Sequence, residues 1–528
     1  MFKNLFSKTD SYWLFLVLTS LLCFGFALTH SSMGIDDEML DVYQNFWVML
    51  NTNRPGGILT VNLIPTRDFL PFWREFTAVI LLIIGITIHV NNFIKNSPPP
   101  GKLDKTAAII FACLAVSFPY FAFHFIFMVT CLEHGLLTVL TGLAVDSLFR
   151  YFDKKDKKYI LAAFLLIFLS VSLYESSILY FIISSLFIVM LNLINRENNA
   201  NNENNECEKN FKGIFWYIIL IPAISFIANN IIVYSFLKNK NQLKMVDFNY
   251  YDYSSFTAFI QSLYHNCLEF LRGFQHTLNY NFGSIMVVSS AFIFLLLIIY
   301  FSLRKRNILI FISGIIMLLL PFTPFIVSSN YNLPYRVYST YGFVNAITFV
   351  LLYLVLKKYK VISKILLAVV FLIILQQSKE MNQFFYYEHL KCENDKFFAH
   401  SLMSDLTELN LDEKPILFAG LRKNPESRYL YDEAGEEVVS IFNWDRYDDA
   451  FAEIFVRRGI RYLRELGYNN VTSITETDIF RDKKSYNDVI YSLKNNVKDM
   501  PVYPMKGSIK DMDSYIIVKI GPSLWEEK

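Results

Sequence analysis

Apolar runs long enough to cross a bilayer recur along this chain, separated by short polar turns. A spanning helix needs about 20 mostly apolar residues. Such runs occupy roughly residues 12–29, 75–94, 105–119, 127–149, 159–175, 176–195, 213–236, 282–302, 307–327, 339–356 and 362–378. The pattern predicts an α-helical polytopic membrane protein with about 11 transmembrane helices. The first run follows Lys3 and Lys8 and has the outline of a signal peptide. It is long, lacks a small-x-small cleavage site and is followed by many similar runs, so it reads as a first membrane helix.

The basic residues set the orientation, because short cytoplasmic loops are enriched in Lys and Arg. One alternating set of loops carries Lys3 and Lys8; Lys95, Lys102 and Lys105; Arg150, Lys154, Lys155, Lys157 and Lys158; Arg196, Lys209 and Lys212; Arg304, Lys305 and Arg306; and Lys357, Lys358, Lys360 and Lys364. The opposite set is poorer, with Arg54, Arg67, Arg74, Lys238, Lys240, Lys244, Arg272 and Arg336. Assigning the rich set to the cytoplasm favours an odd number of helices. Residues 30–74, 237–281, 328–338 and the C-terminal tail then lie outside.

Between the apolar runs, three stretches have a pattern of their own. Residues 36–50 place Met39, Val42, Tyr43, Phe46 and Met49-Leu50 on one helical stripe with charge confined to its start, which predicts an amphipathic helix at the membrane interface. Pro55-Gly56-Gly57 breaks it, and the run from Pro65 to Phe76 re-enters the membrane with Trp73 at the interface. The Asn-rich stretch 197–210 reads as a solvated linker, and Pro98-Pro99-Pro100-Gly101 as a stiff turn. From about residue 380 the charge density rises. Residues 384–409 predict a polar helix with an apolar face, 415–420, 437–442 and 514–520 short strands, and 446–466 a further helix. Together these predict a small α/β domain over 380–528 on the outer side, behind a membrane domain over 1–379.

Composition excludes several classes of function. The chain is 54% hydrophobic, 17% aromatic and only 18% charged, against about 25% charged in ordinary soluble domains. A net charge of +2 without a long basic tract gives no nucleic-acid partner. No Gly-rich phosphate loop follows any predicted strand. The six cysteines show no metal-type spacing; Cys267 and Cys392 could pair only if both face an oxidising compartment.

The candidate chemistry gathers at the outer side. Asp36, Asp37 and Glu38 stand directly after the first apolar run, where adjacent carboxylates repel and one suits general-base work. Asp36 also suits a helix N-cap, with Asp37 and Glu38 favouring the helix dipole. Glu133-His134 interrupts an apolar run, which flags function in a membrane segment. Glu133 lies 17 positions before Arg150, roughly 25 Å at 1.5 Å per residue, which puts it near the outer mouth. A helix–helix hydrogen bond is the plain alternative. Tyr174-Glu175 falls at the next outer turn. Arg54, Arg67 and Arg74 in the first outer loop and Arg336 in the last sit near aromatics, where a guanidinium fork suits a lipid phosphate or equally anchors on lipid headgroups.

Ile35-Asp36-Asp37 after helix one, Asn53-Arg54-Pro55, Ser172-Leu173-Tyr174-Glu175, Asn332-Leu333-Pro334-Tyr335-Arg336 and Pro415-Ile416-Leu417-Phe418-Ala419-Gly420 form a pattern that resembles the GT-C class of polyprenyl-phosphate-sugar-dependent glycosyltransferases. Within it the chain is most similar to the bacterial Gtr-type glucosyltransferases that decorate O-antigen; members tend to carry an amide where Glu175 stands. The resemblance implies transfer of a hexose, glucose, from undecaprenyl phosphate onto O-antigen or a related surface glycan outside the bacterial inner membrane. It implies catalysis by Asp37, with Asp36 second, and donor or substrate contacts from Glu38, Arg54, Glu133, His134, Tyr174, Glu175 and Arg336. No cofactor is required by this chemistry, and a divalent cation is left open. Two rival readings are a polysaccharide polymerase or ligase, which would lean on Arg and His in large outer loops, and a lipid-linked glycan transporter, which would show internal repeats.

Overall fold

In a computed structural model, residues 12–30, 32–34, 37, 46–58, 60, 71–97, 103–195, 204–239, 260, 261, 264, 281–323, 338–422, 440–445, 458–476 and 496–522 are described. The helices are α1 (Tyr12–Thr29), α2 (Phe46–Asn51), α3 (Pro71–Lys95), α4 (Lys105–Val116), α5 (Ala122–Phe125), α6 (Met128–Lys154) and α7 (Lys157–Leu173). They continue as α8 (Ser177–Asn195), α9 (Asn204–Asn239), α10 (Asn281–Lys305), α11 (Ile308–Leu319), α12 (Tyr341–Leu356), α13 (Lys360–Glu408) and α14 (Arg458–Glu465). Each predicted apolar run carries a helix. Among the described residues, seven helices are long and apolar enough to cross a membrane. The bent pair formed by α4 and Pro119–Phe125 adds an eighth if it is one span, and Ile308–Phe322 and Tyr341–Leu356 are apolar but shorter.

By their contacts the residues form two units: Met1–Ser31 with Val42–Phe385, and Ser32–Asp41 with Tyr386–Lys528. In the first, α3 and α6 pack side by side. Their seam is apolar with a few buried polar bonds, as suits an interface where lipid offers no hydrophobic drive. Asn92 Nδ2 donates to the Gly142 carbonyl at 2.7 Å, and His89 Nε2 lies 3.3 Å from Thr141 Oγ1. An aromatic cluster fills the centre. Phe93 meets Phe111 and Phe187 edge-on at 4.9 Å, and Phe343 meets Tyr180 at 4.9 Å, the geometry that ring quadrupoles favour.

Local sequence fixes the turns of this unit. Asp104 caps α4 by accepting from Ala107 N at 2.9 Å, and Asp156 caps α7 through Lys158 N at 3.0 Å. Lys155, at φ +56°, makes the tight reversal between α6 and α7. At the ends of α3 and α6, Lys95 and Arg150 both pair with Asp146, at 2.9 and 2.6 Å.

Three expectations need correction. The Asn-rich stretch is helical from Asn204, because α9 propagates backwards from its apolar segment; propagation costs far less than nucleation. The polar helix expected at 384–409 is continuous with the last apolar run as the 49-residue α13. Ile441–Asp445 is a 3-10 turn rather than the end of a strand. Cys392 is a free, buried thiol. Of the interfacial helix only Phe46–Asn51 is described; Met49 and Leu50 are buried, and Phe46 is 39% exposed.

In the second unit a three-stranded sheet of order β1-β3-β2 joins β1 (Ile416–Ala419), β2 (Ile509–Asp511) and β3 (Ile516–Lys519). β1 and β3 are parallel, with Ile416 opposite Ile516, and both are buried throughout, which is why they read as continuous apolar runs. β2 closes the edge antiparallel to β3 and is short and charged, as edge strands are. The end of α13 is tied to this fold by Tyr503, whose hydroxyl donates to Asp405 Oδ2 at 2.7 Å.

Candidate active site

The first unit builds a buried polar site where the loop after α2 lies against the start of α6 and the end of α7. Arg54 N closes the α2 turn on the Met49 carbonyl at 2.8 Å. Asn53, at φ +61°, takes the left-handed conformation that asparagine tolerates better than most residues. Gly56 N then donates to the Ser172 carbonyl at 2.9 Å. A Cβ on Gly56 would lie 2.9 Å from the backbone carbonyl carbon of Ser172, so glycine lets the loop come this close.

This loop sets Arg54 over the ring of Tyr174, 4.3 Å from its centroid. Tyr174 is presented by the extended residue that ends α7. Beneath lies Glu133 of α6, 2% exposed, accepting from Thr60 Oγ1 at 3.2 Å. Arg54 and Arg74 both act on it electrostatically, and Arg74, in the first turn of α3, is only 1% exposed. Guanidinium groups at a buried polar site suit an anionic ligand.

Beside this group, the ring of His134 stacks on His124 at 3.4 Å, and Tyr174 meets both edge-on at 5.7 and 6.3 Å. His134 Nε2 is 3.3 Å from the Tyr180 hydroxyl, which donates to Ser339 Oγ at 3.1 Å; His124 Nε2 reaches the same Ser339 oxygen at 3.0 Å. Glu175 takes a different part. Asn53 Nδ2 donates to its Oε1 at 2.6 Å, while Asn229 Nδ2 donates to the Asn53 carbonyl at 3.2 Å. The carboxylate clasps the turn that carries Arg54.

Of the residues singled out in the sequence, Arg54, Glu133, His134, Tyr174 and Glu175 come together in this unit. Asp37 belongs to the other unit. It is 2% exposed, its N donates to the Gly34 carbonyl at 3.3 Å, and its Oδ2 accepts from Gly34 N at 2.9 Å. A carboxylate reaching back three residues to a backbone N–H makes one half of a capping box; Gly34 has no side chain to supply the other. Asp36, Glu38 and Arg336 lie outside the described residues. Among the described residues, no group of three or more His, Cys, Asp or Glu is placed to hold a metal ion.

Arg74, one of the outer arginines that the sequence offers for a lipid phosphate or a headgroup anchor, also acts on Glu133 in this unit. Sequence reasoning missed Thr60, Tyr180 and Ser339 as members of the site. Thr60, Tyr180 and Ser339 carry no local signal, since hydroxyl residues are common in membrane helices.

Comparison with known proteins came out as follows. No curated protein matches the chain. Among solved structures, the archaeal oligosaccharyltransferase AglB from Archaeoglobus fulgidus, in complex with an inhibitory peptide and a dolichol-phosphate, superposes with a TM-score of 0.41 at 14% identity, over 91% of this chain and 68% of that one. A superposition that loose carries no argument. The family model for glucosyl transferase GtrII matches residues 25–345, more than half of the chain. That stretch includes Arg54, Arg74, Glu133, His134, Tyr174 and Ser339, and the protein belongs to the GtrII family of glucosyltransferases.

Proposed function

We propose that this membrane glycosyltransferase moves glucose from undecaprenyl phosphate onto O-antigen or a related surface glycan, on the periplasmic side of the bacterial inner membrane. The observation that carries the reading is Arg54, held over the Tyr174 ring by the turn after α2, in the same buried site as Glu133. A guanidinium beside an aromatic ring in an apolar bundle suits a lipid-linked phosphate. Family membership supplies the transferred sugar class.

In the proposed reaction the acceptor hydroxyl oxygen attacks C1 of the glucosyl group. Its proton passes to a carboxylate of the acidic turn, Asp37 first and Asp36 second. The bond from C1 to the phosphate oxygen breaks, and its electron pair leaves with undecaprenyl phosphate. Arg54 and Arg74 stabilise the charge on that phosphate, with Arg336 as a further sequence candidate. Glu133, His134 and Tyr174 line the donor side, and Glu175 holds the Arg54 turn.

The same reading carries eleven crossings, with the N-terminus in the cytoplasm and the C-terminal unit outside. Lys95 and Arg150 share Asp146, which supports parallel courses for α3 and α6. The bent segment from Lys105 to Phe125 must then cross between them. Lys357 reaches Asp104 at 3.5 Å, which supports the same side for the end of α12 and the start of α4.

Purified protein, undecaprenyl-phosphate-glucose and O-antigen polysaccharide provide the test. The wild type is expected to transfer glucose, and Asp37→Asn to lose at least about a hundredfold in kcat, the usual worth of a general base. Full turnover by both Asp36→Asn and Asp37→Asn would sink the base assignment. Transfer from a nucleotide sugar without the lipid donor would sink the donor assignment.

A further inference from the structure

The acidic turn belongs by its contacts to the C-terminal unit, although in sequence it adjoins the first membrane helix. One residue of α13 makes the connection. Met33 N donates to Cys392 Sγ at 3.4 Å, and one residue later Gly34 N donates to Asp37 Oδ2 at 2.9 Å. Cys392 is itself held on its far side, where the Tyr462 hydroxyl of α14 donates to its carbonyl at 3.4 Å. Met33, Cys392 and Tyr462 are all buried.

The helix around Cys392 is unusually fixed. One residue before it, Lys391 pairs with Glu388 at 2.5 Å, and neither side chain is more than 1% exposed. Three residues after it, Asp395 accepts from Ser440 Oγ at 2.7 Å and Ile441 N at 3.0 Å. Arg422, at the exit of β1, lies 3.8 Å from Asp395 and packs over the Phe398 ring at 4.0 Å. The exit of β1, α14, the 3-10 turn at Ile441 and a buried ionic cluster therefore converge on the stretch of α13 that receives the acidic turn. Such a dense polar network specifies a single geometry better than it adds stability.

We infer that Cys392 is a positioning residue for Asp37, and that the C-terminal unit serves to set the acidic turn. The inference rests on the reading of Asp37 as the base. A thiol is a weak acceptor, so its contribution is to place the Met33–Gly34 backbone rather than to hold the fold. Misplacing a catalytic group by about 1 Å can cost a hundredfold in rate. The consequence falls on kcat, because the donor phosphate is held elsewhere.

The test uses the full-length protein with undecaprenyl-phosphate-glucose and O-antigen polysaccharide. Cys392→Val keeps the volume and removes the acceptor; it is expected to lower kcat at least about tenfold with the donor KM within about twofold. Cys392→Ser restores an acceptor and is expected to recover most of that loss. Tyr462→Phe, which only frees the Cys392 carbonyl, should lower kcat in the same sense by less. Wild-type kcat in both Cys392→Val and Tyr462→Phe would overturn the positioning role, as would equal loss in Cys392→Ser and Cys392→Val. Asp37→Asn run alongside separates the two ideas. If it turns over fully, the base assignment falls and the positioning role with it. If it is inactive while Cys392→Val is not, the base stands and only the positioning role fails.

Discussion

Arg54 shows what a single side chain brings to the site. Its guanidinium carbon lies over the Tyr174 ring, 4.3 Å from the centroid, and a planar fork held against a ring suits an anionic phosphate. Lysine keeps the charge but has neither the plane nor the fork. Arg54→Lys is therefore expected to lower kcat/KM for the lipid donor about ten- to a hundredfold, the range of one charge-assisted hydrogen bond. A steady-state titration of the donor checks it, and kcat/KM within a factor of about two of wild type would remove Arg54 from the phosphate contact. At this scale much of the site was legible. Glu133 and His134 stand out because ionisable groups are costly in apolar runs, and Tyr174 because it ends one such run. The clasp role of Glu175 was not, since it depends on Asn53 and Asn229 arriving from two other segments. Nor could sequence say which aspartate turns back on Gly34, because adjacent carboxylates look alike until the backbone turns.

Helices were easier to read than strands, for a reason of length. Twenty apolar residues leave little alternative to a helix in a membrane, where every backbone polar group must be satisfied internally. Residues 437–442 are short, and six apolar-leaning residues fit a strand or a buried turn equally well; burial of Ile441 and Phe442 was legible, their 3-10 geometry was not. α13 was read as two pieces because its pattern changes from all-round apolar to amphipathic near residue 380, although the backbone does not break. The amphipathic half carries the Glu388–Lys391 pair, 2.5 Å apart and closed from water. Removing one partner strands a buried charge. Lys391→Met is expected to destabilise the protein by about 3–5 kcal/mol, while Lys391→Met combined with Glu388→Leu recovers most of that loss. Thermal unfolding in detergent distinguishes these. Equal melting of the single and double variants would mean that the pair is not coupled in the folded protein.

For the whole molecule, the open quantity is the number of crossings, and charge and packing constrain it together. If only the seven long apolar helices crossed, α3 would end in the cytoplasm at Lys95 and α6 would end outside at Arg150. Those two residues could not then share one aspartate, yet both lie within 3 Å of Asp146. Letting the bent pair from Lys105 to Phe125 cross resolves this and brings the count to eight. Eight is even, and it would leave the C-terminal unit in the cytoplasm. On the proposed topology the remaining apolar helices, Lys157–Leu173, Ile308–Phe322 and Tyr341–Leu356, bring the total to eleven. It has α7 cross because its start lies one turn from the end of α6, while Tyr174 at its other end meets His134 near the start of α6. Eleven crossings also place every Lys- and Arg-rich loop on one side, as membrane insertion favours. Alkaline phosphatase fused after Lys528 is accordingly expected to be active, and the same enzyme fused after Arg306 inactive. A fluorescent protein that folds only in the cytoplasm should give the reverse pattern. Activity after Arg306, or none after Lys528, would require one of the three short helices to stay on one side of the membrane.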